Sequence, residues 1–182
     1  LWQKQSVFEE SARVPLLVVA PGVTQARAVA RAPVSPIDLY PTLTELAGVT
    51  PPANLQGQSL VPLLRDPAAT GRGWALTQVN RGGGGGAGKG KGKAAVAKGA
   101  SGGGRFSGYS LRTPRWRYTE WDGGKQGREL YDHDADPREI TNLATLPAHA
   151  ATVATLSAQL QTAVKTTFPP SGKSPELSEG LW

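Results

Sequence analysis

An uninterrupted apolar stretch, VPLLVVA, occupies residues 14–20, and Pro21-Gly22 follows it directly. The stretch is too short for a globular helix and lacks polar alternation, so it predicts a strand buried on both faces. Such strands belong to parallel or mixed sheets, in which each parallel neighbour needs a crossover of about a dozen residues or more. The rest of the chain offers almost no such crossover. We therefore expect the neighbouring strands to be encoded ahead of Leu1, with this chain as the C-terminal piece of a larger α/β protein.

The clearest helix signal in the N-terminal half begins at Ser35, a typical N-cap residue, with Pro36 at the first helical position. Asp38 stands where a carboxylate can accept a hydrogen bond from the N-cap amide, so capping is a better assignment for it than catalysis. Apolar residues recur in this helix at steps of three and four: Ile37, Tyr40, Leu43 and Leu46-Ala47. We expect this apolar stripe to pack on the buried sheet.

The C-terminal half predicts a small antiparallel sheet with a helix. Four short segments, three of them rich in aromatic and alternating residues, are typical of strands: residues 74–78, 109–113, 116–121 and 129–132. A second helix is predicted between Pro147 and Phe168. Its apolar positions recur at steps of three and four: Val153, Leu156, Leu160 and Val164. We expect this stripe to cover one face of the small sheet.

Residues 82–104 interrupt this pattern with 12 glycines and four lysines, and they contain no aromatic residue. Ordering such a composition costs backbone entropy that one valine cannot offset, so a disordered loop is predicted. The Gly-Lys repeats lack the strand, the helix and the Lys-Ser or Lys-Thr pair of phosphate-binding loops, which argues against nucleotide binding. Non-specific contact with polyanions at low salt is the functional alternative.

Charge and composition narrow the possibilities further. The net charge of +6 equals the six basic residues from Arg81 to Arg105, a span without acids, so the rest of the chain is electrically balanced. The chain contains no cysteine, which excludes thiolate zinc sites and a cysteine nucleophile within it. No run of about 18 apolar residues occurs, so no membrane span is predicted. We also expect no specific nucleic-acid partner, because the aromatic strands are better explained by interior packing.

Five stretches together carry a family resemblance. In chain order they are residues 2–22, with Lys4, FEESARVPL and APG; 34–43, VSPIDLYPTL; 55–64, LQGQSLVPLL; 129–133, ELYDH; and 136–143, DPREITNL. In order and spacing they resemble the C-terminal part of sulfatases of the alkaline phosphatase superfamily, and iduronate-2-sulfatase-like members in particular. The likeness covers nearly all of the chain except the glycine-rich segment.

The resemblance implies an α/β fragment with two parts. Residues 1–67 correspond to the end of the alkaline-phosphatase-like catalytic domain, and residues 68–168 to a small C-terminal subdomain with an antiparallel sheet and a C-terminal helix. Residues 82–104 are an insertion in that subdomain, and residues 169–182 form a tail. The rest of the catalytic domain is expected outside these residues.

The resemblance also implies hydrolysis of a sulfate ester, on a sulfated small molecule or glycan, by a formylglycine derived from Cys or Ser. That nucleophile motif is missing here, so we expect the 182 residues alone to be inactive. Calcium is expected in the complete enzyme, with no ligand in this chain. Lys4 is the substrate-binding residue that the resemblance places here, where its ammonium group would contact the sulfate oxygens. A periplasmic, secreted or lysosomal-type location is implied in the same way.

Two other functions fit the same residues. A phosphodiesterase or phosphonate hydrolase of the same superfamily would share the fold, and a non-enzymatic polyanion-binding module would use the lysine-rich loop. His133, next to Asp132 and Asp134, looks like a metal ligand, but successive acids before Pro137 favour a turn and helix-start role.

Overall fold

The computed structural model describes residues 5–81 and 106–167. The N-terminal part contains three short helices: α1 (Glu9–Ala12), α2 (Leu39–Leu46), which a 3-10 turn at Pro36–Asp38 precedes, and α3 (Val61–Arg65). Four strands follow: β1 (Ala75–Arg81), β2 (Phe106–Arg112), β3 (Trp116–Trp121) and β4 (Arg128–Asp132). A 3-10 turn at Pro147–His149 leads into the long helix α4 (Ala150–Thr167).

The four strands form one antiparallel sheet in the order β1-β2-β3-β4, so each strand pairs with its neighbour in sequence. The central register pairs Leu111 with Tyr118, and Tyr118 in turn pairs with Leu130. Helix α4 packs Leu156 and Leu160 against these three residues, and all five belong to one buried cluster. The predicted antiparallel sheet, its C-terminal helix and the apolar stripe of that helix are therefore confirmed.

The buried strand predicted for residues 14–20 is wrong. The segment has no regular secondary structure, and Leu17 and Val19 are 86% and 87% exposed. Its apolar side chains find no sheet to bury them among the described residues, because the four strands described all lie between residues 75 and 132 and pair with one another. The apolar pattern favours burial, but the described part of the chain does not supply a covering surface.

Helix α2 begins as predicted, but its apolar stripe does not face a core. Ser35 and Asp38 form a reciprocal capping box, in which the Ser35 amide donates to Asp38 Oδ2 at 2.9 Å. Asp38 Oδ1 also accepts hydrogen bonds from the Gln58 amide at 2.9 Å and from Arg72 at 2.8 Å. Capping is thus confirmed as the role of Asp38. The expected packing of the stripe is wrong, because Ile37, Tyr40, Leu43 and Ala47 are exposed and Leu46 is only half-buried.

Several predictions fall on parts of the chain that the structure does not describe. Lys4, the glycine-rich residues 82–104 and the tail 169–182 lie outside the described residues. The domain boundaries at residues 67 and 168 stay predictions. None of the helices within residues 5–81 and 106–167 is long and apolar enough to cross a lipid bilayer.

Candidate functional site

The face of the sheet opposite α4 is polar and yet partly buried. Because side chains alternate along a strand, Ser110 and Arg112 of β2 lie on the same face as Arg117 and Thr119 of β3. Ser110, Arg117 and Thr119 are each at most 1% exposed. Thr119 Oγ1 donates to Ser110 Oγ at 2.9 Å. We call this surface, defined by Ser110, Arg112, Arg117 and Thr119, the polar face.

Arg117 is the charged centre of the polar face. Its guanidinium group donates from Nε to Glu139 Oε1 and from Nη2 to Glu9 Oε2, the latter at 2.5 Å. The Arg117 side chain is 1% exposed and the Glu139 side chain 2% exposed, so the pair is removed from water. A buried charge of this kind is tolerated only when it is paired and hydrogen-bonded, and Arg117 meets both conditions.

Glu9 connects the N-terminal segment to this centre through two of its groups. Its carboxylate accepts hydrogen bonds from Arg117 and from Arg112 Nε, the latter at 3.3 Å, while its backbone amide donates to Glu139 Oε2 at 2.8 Å. Burial alone would raise the pKa of Glu9, but the adjacent guanidinium groups of Arg112 and Arg117 outweigh it and lower the pKa. Glu9 is therefore held in its charged form.

Glu9 also explains how two arginines can stand opposite each other. Arg112 and Arg117 are register partners on β2 and β3, and like charges in that arrangement repel. Glu9 Oε2 accepts from both guanidinium groups and so neutralises the repulsion. The sheet and the N-terminal segment are electrostatically complementary at this point.

His133 completes the cluster, and its tautomer follows from its partners. Nδ1 lies 2.8 Å from Arg112 Nη2, and Nε2 lies 2.8 Å from Glu139 Oε1. A guanidinium group can only donate, so Nδ1 accepts and the ring proton is on Nε2, which donates to Glu139. Glu139 itself has a positive φ of 58°, a backbone conformation that places its carboxylate between Arg117, His133 and the Glu9 amide.

The cluster resembles a metal site by composition but does not fit one. Potential ligand atoms of Glu9, His133 and Glu139 lie within 4.8 Å of one another. Arg117 already occupies the space between the two carboxylates, and a divalent cation there would leave this buried guanidinium group without its partners. Calcium would in addition require six to eight oxygen ligands, which this set does not offer. We therefore assign the cluster to ion pairing rather than to metal binding.

The other acidic residues around His133 have the turn role that the sequence predicts, but the predicted helix start is wrong, because no helix begins within residues 133–146. Asp132 accepts two hydrogen bonds from Arg115, at 3.0 and 2.7 Å, and one from the Asp134 amide. Asp136 Oδ2 accepts from the amides of Ile140 and Thr141 at 2.8 and 2.7 Å. The hydrogen bonds from Arg115 lower the pKa of Asp132. The prediction for His133 itself missed its contacts with Arg112 and Glu139.

Among the side-chain contacts of Glu9, only the ion pair with Arg13 is local in sequence. That pair exists at 3.8 Å, but the Arg13 side chain is mostly exposed and the contact is weak. The pairing of Glu9 with the sheet was not predicted, because its partners stand more than 100 positions away in the chain. The one available signal was Arg117, an arginine in an alternating strand that also contains Tyr118 and Thr119.

The N-terminal part of the chain matches a known protein family. Residues 1–75 match the family model for the C-terminal region of N-sulphoglucosamine sulphohydrolase. Arylsulfatase K from Gallus gallus is 37% identical over 142 residues, and the match covers 78% of this chain and 24% of that protein. The chain thus spans about a quarter of the length of the curated relatives that it matches.

Solved structures extend the likeness to three dimensions. BT1596, a 2-O GAG sulfatase, matches with 27% identity and a TM-score of 0.51 over 71% of this chain and 24% of its own. BT4656, solved with its substrate D-glucosamine-2-N,6-O-disulfate, matches with 25% identity and a TM-score of 0.52 over the same shares. The phosphonate monoester hydrolase SpPMH from Silicibacter pomeroyi, at 24% identity and a TM-score of 0.54, covers 77% of this chain and 26% of its own and shares the fold.

Proposed function

We propose that this chain is the C-terminal region of a sulfatase of the alkaline phosphatase superfamily. In the complete protein it forms part of an enzyme that hydrolyses sulfate esters. The observation that carries the proposal is the likeness to arylsulfatase K, which continues over 78% of the chain. Because the match covers only 24% of that relative, the activity is proposed for the complete gene product that contains residues 1–182. The 182 residues alone are expected to be inactive.

The proposed substrate class is a sulfated glycan. Two structural relatives with at least 25% identity support this class: BT1596 is a 2-O GAG sulfatase, and BT4656 was solved with its substrate D-glucosamine-2-N,6-O-disulfate. Sulfated sugars carry a full negative charge on each ester, and more charge develops on the bridging oxygen as the S–O bond breaks. A site for such a substrate therefore needs fixed positive groups at the sulfate oxygens.

Lys4 is proposed to supply one of these positive groups. This assignment is supported by its spacing from Phe8, Arg13 and Pro15, which matches the sulfatase pattern. An ammonium group about 4 Å from a sulfate oxygen contributes on the order of 4 kcal/mol at an effective dielectric constant near 20. This attraction is stronger in the transition state, where the negative charge has grown, so Lys4 would accelerate the reaction as well as bind substrate.

The nucleophile and the metal are proposed to lie outside this chain. The family resemblance implies a formylglycine nucleophile, and no cysteine is available here to form one. Calcium, when bound in the complete enzyme, would polarise the sulfate oxygens. Among the described residues, the cluster closest to a metal site does not fit calcium, because Arg117 already pairs with both of its carboxylates.

The test is an assay of the complete gene product with an aryl sulfate and with a 6-O-sulfated glucosamine. We expect turnover of both, and we expect Lys4→Ala to lower kcat/KM by about 100- to 1000-fold, the usual cost of losing one group that stabilises developing charge. Lys125→Ala, which changes an exposed lysine in the β3-β4 turn, is the matched control and should behave like the unmodified protein. Absence of sulfate release would contradict the proposed function, and full activity of Lys4→Ala would contradict the role of Lys4.

A phosphonate or phosphodiester hydrolase is the second candidate, because SpPMH shares this fold. Assaying a phenyl phosphonate monoester with the same preparation separates the two, since the proposed sulfatase should prefer the sulfate ester. The translated DNA immediately upstream of Leu1 provides a second, independent distinction. A Cys-x-Pro-Ser-Arg motif there would support the sulfatase, and its absence would favour the alternative.

A further inference from the structure

The N-terminal segment is anchored to the polar face at a short distance in sequence from Lys4. Val7, three positions after Lys4, is fully buried, and the hydroxyl of Ser6 donates to Ser11 at 2.7 Å. Phe8 packs edge-on against Tyr131 of β4, with 6.0 Å between the ring centres. Glu9 then adds the charged contacts with Arg117, Arg112 and Glu139. The contacts of Phe8 and Glu9 therefore hold the segment against the sheet, and the hydrogen bond between Ser6 and Ser11 joins two residues of the segment itself.

The ionic contacts are the specific part of this anchor. Glu9 uses its carboxylate and its backbone amide at once, so both the position and the direction of the chain are determined. Other hydrogen bonds orient the two guanidinium groups that contact Glu9. Arg117 also donates to Glu139, and Arg112 also donates to His133. Apolar packing alone would tolerate a shift along the sheet, whereas these directed bonds do not.

Only a few residues separate Lys4 from this anchor. A chain extends at most about 3.6 Å per residue, so five residues place the Cα atom of Lys4 within about 18 Å of that of Glu9. From the buried Val7 the limit is about 11 Å. The energy of a charge contact falls with distance, and catalytic geometry tolerates only small displacements. An anchor this close therefore limits how far from the sheet the ammonium group can lie.

We propose that Glu9 is a positioning residue for the substrate-binding Lys4, and that Arg117 and Glu139 of the C-terminal part are the groups that hold it. The proposal rests on the proposed function, because it assumes that Lys4 contacts the sulfate. It assigns the small antiparallel sheet a role in catalysis that acts through the N-terminal segment, since no residue of the sheet needs to touch the substrate.

The first experiment measures the anchor itself, independently of activity. Hydrogen exchange of residues 6–12 is compared between the 182-residue protein and its Glu9→Gln variant, which keeps the size of the side chain and removes its charge. We expect exchange to become about 10- to 100-fold faster, the fold-change that corresponds to losing hydrogen bonds to a charged group. Glu10→Gln is the matched control, because Glu10 is exposed and forms no ion pair with any described residue. Unchanged exchange in Glu9→Gln would overturn the proposal.

The second experiment measures kinetics in the complete gene product. We expect Glu9→Gln to raise KM for the sulfate ester and to lower kcat/KM about 10-fold, while Glu10→Gln has no effect. Glu9→Asp keeps the charge and should recover part of the loss, which a purely structural effect of side-chain size would not do. Faster exchange without any kinetic change would also overturn the proposal, since Glu9 would then anchor the segment without positioning Lys4.

These outcomes separate the two proposals. If Lys4→Ala is fully active, the role proposed for Lys4 fails and the positioning role fails with it, whereas the exchange experiment still reports on the anchor. If Lys4→Ala is inactive and Glu9→Gln behaves like the unmodified protein in both experiments, the sulfatase proposal stands and only the positioning role is refuted.

Discussion

Replacing Arg117 with methionine would remove the cation at the centre of the polar face while preserving most of its volume. Glu139, with 2% of its side chain exposed, would lose its guanidinium partner, and Glu9 would keep Arg112 and the weak, exposed pair with Arg13. Breaking a buried pair by removing one partner costs about 3–5 kcal/mol, because a charge remains in a poorly solvated position. His133 still donates to Glu139, so we expect the lower end, about 3 kcal/mol.

Urea unfolding, followed by tryptophan fluorescence, provides the assay. With a typical urea dependence of about 2 kcal/mol per molar, a loss of 3 kcal/mol lowers the midpoint by about 1.5 M. Arg13→Met is the control, because Arg13 also pairs with Glu9, at 3.8 Å, but its side chain is 79% exposed. Exposed pairs of this kind contribute about 0–1 kcal/mol. Equal and small effects of the two substitutions would refute the assignment of Arg117 as the buried centre.

Three further predictions follow from the same structure. Gly108→Ala should lower the urea midpoint by an amount equivalent to about 1–3 kcal/mol, because a Cβ atom there would lie 2.3 Å from the Trp121 ring; an unchanged midpoint would contradict that packing. Burial raises the pKa of Tyr118 and of Tyr131 to about 12, so the contribution of these two tyrosines to stability should be constant below pH 10 and fall between pH 10 and 12; a loss of tyrosinate absorbance near pH 10 when either tyrosine is replaced by phenylalanine would contradict it. Deleting residues 82–104 removes four lysines and should abolish retention on heparin at low salt, whereas retention that survives the deletion would favour an anion-binding module elsewhere in the chain.

The sheet and α4 could be predicted from sequence because their partners are close in the chain. Each strand pairs with the next one, and the alternation of apolar residues determines which face α4 covers. Residues 14–20 and the stripe of α2 show the limit of that reasoning. Their apolar patterns indicate that burial is favourable, but a pattern does not contain the surface against which it would be buried. In the described residues most of these side chains are exposed.

The candidate site was largely beyond prediction for a different physical reason. An arginine in an alternating strand is usually solvated, so Arg117 is expected at the surface unless acceptors for its donors are known. Its acceptors come from Glu9, 108 positions earlier, and from Glu139, 22 positions later. The positive φ of Glu139, which aims its carboxylate, has no signal in the sequence. Asp38 was predictable because its capping partner Ser35 is local.

The gene product that contains this chain is proposed to be a sulfate-ester hydrolase. The most direct measurement compares kcat/KM for an aryl sulfate with kcat/KM for the matching aryl phosphonate monoester, in one preparation of that gene product. We expect release of sulfate, with a higher kcat/KM for the aryl sulfate than for the phosphonate. Faster hydrolysis of the phosphonate, or no release of sulfate at all, would contradict it.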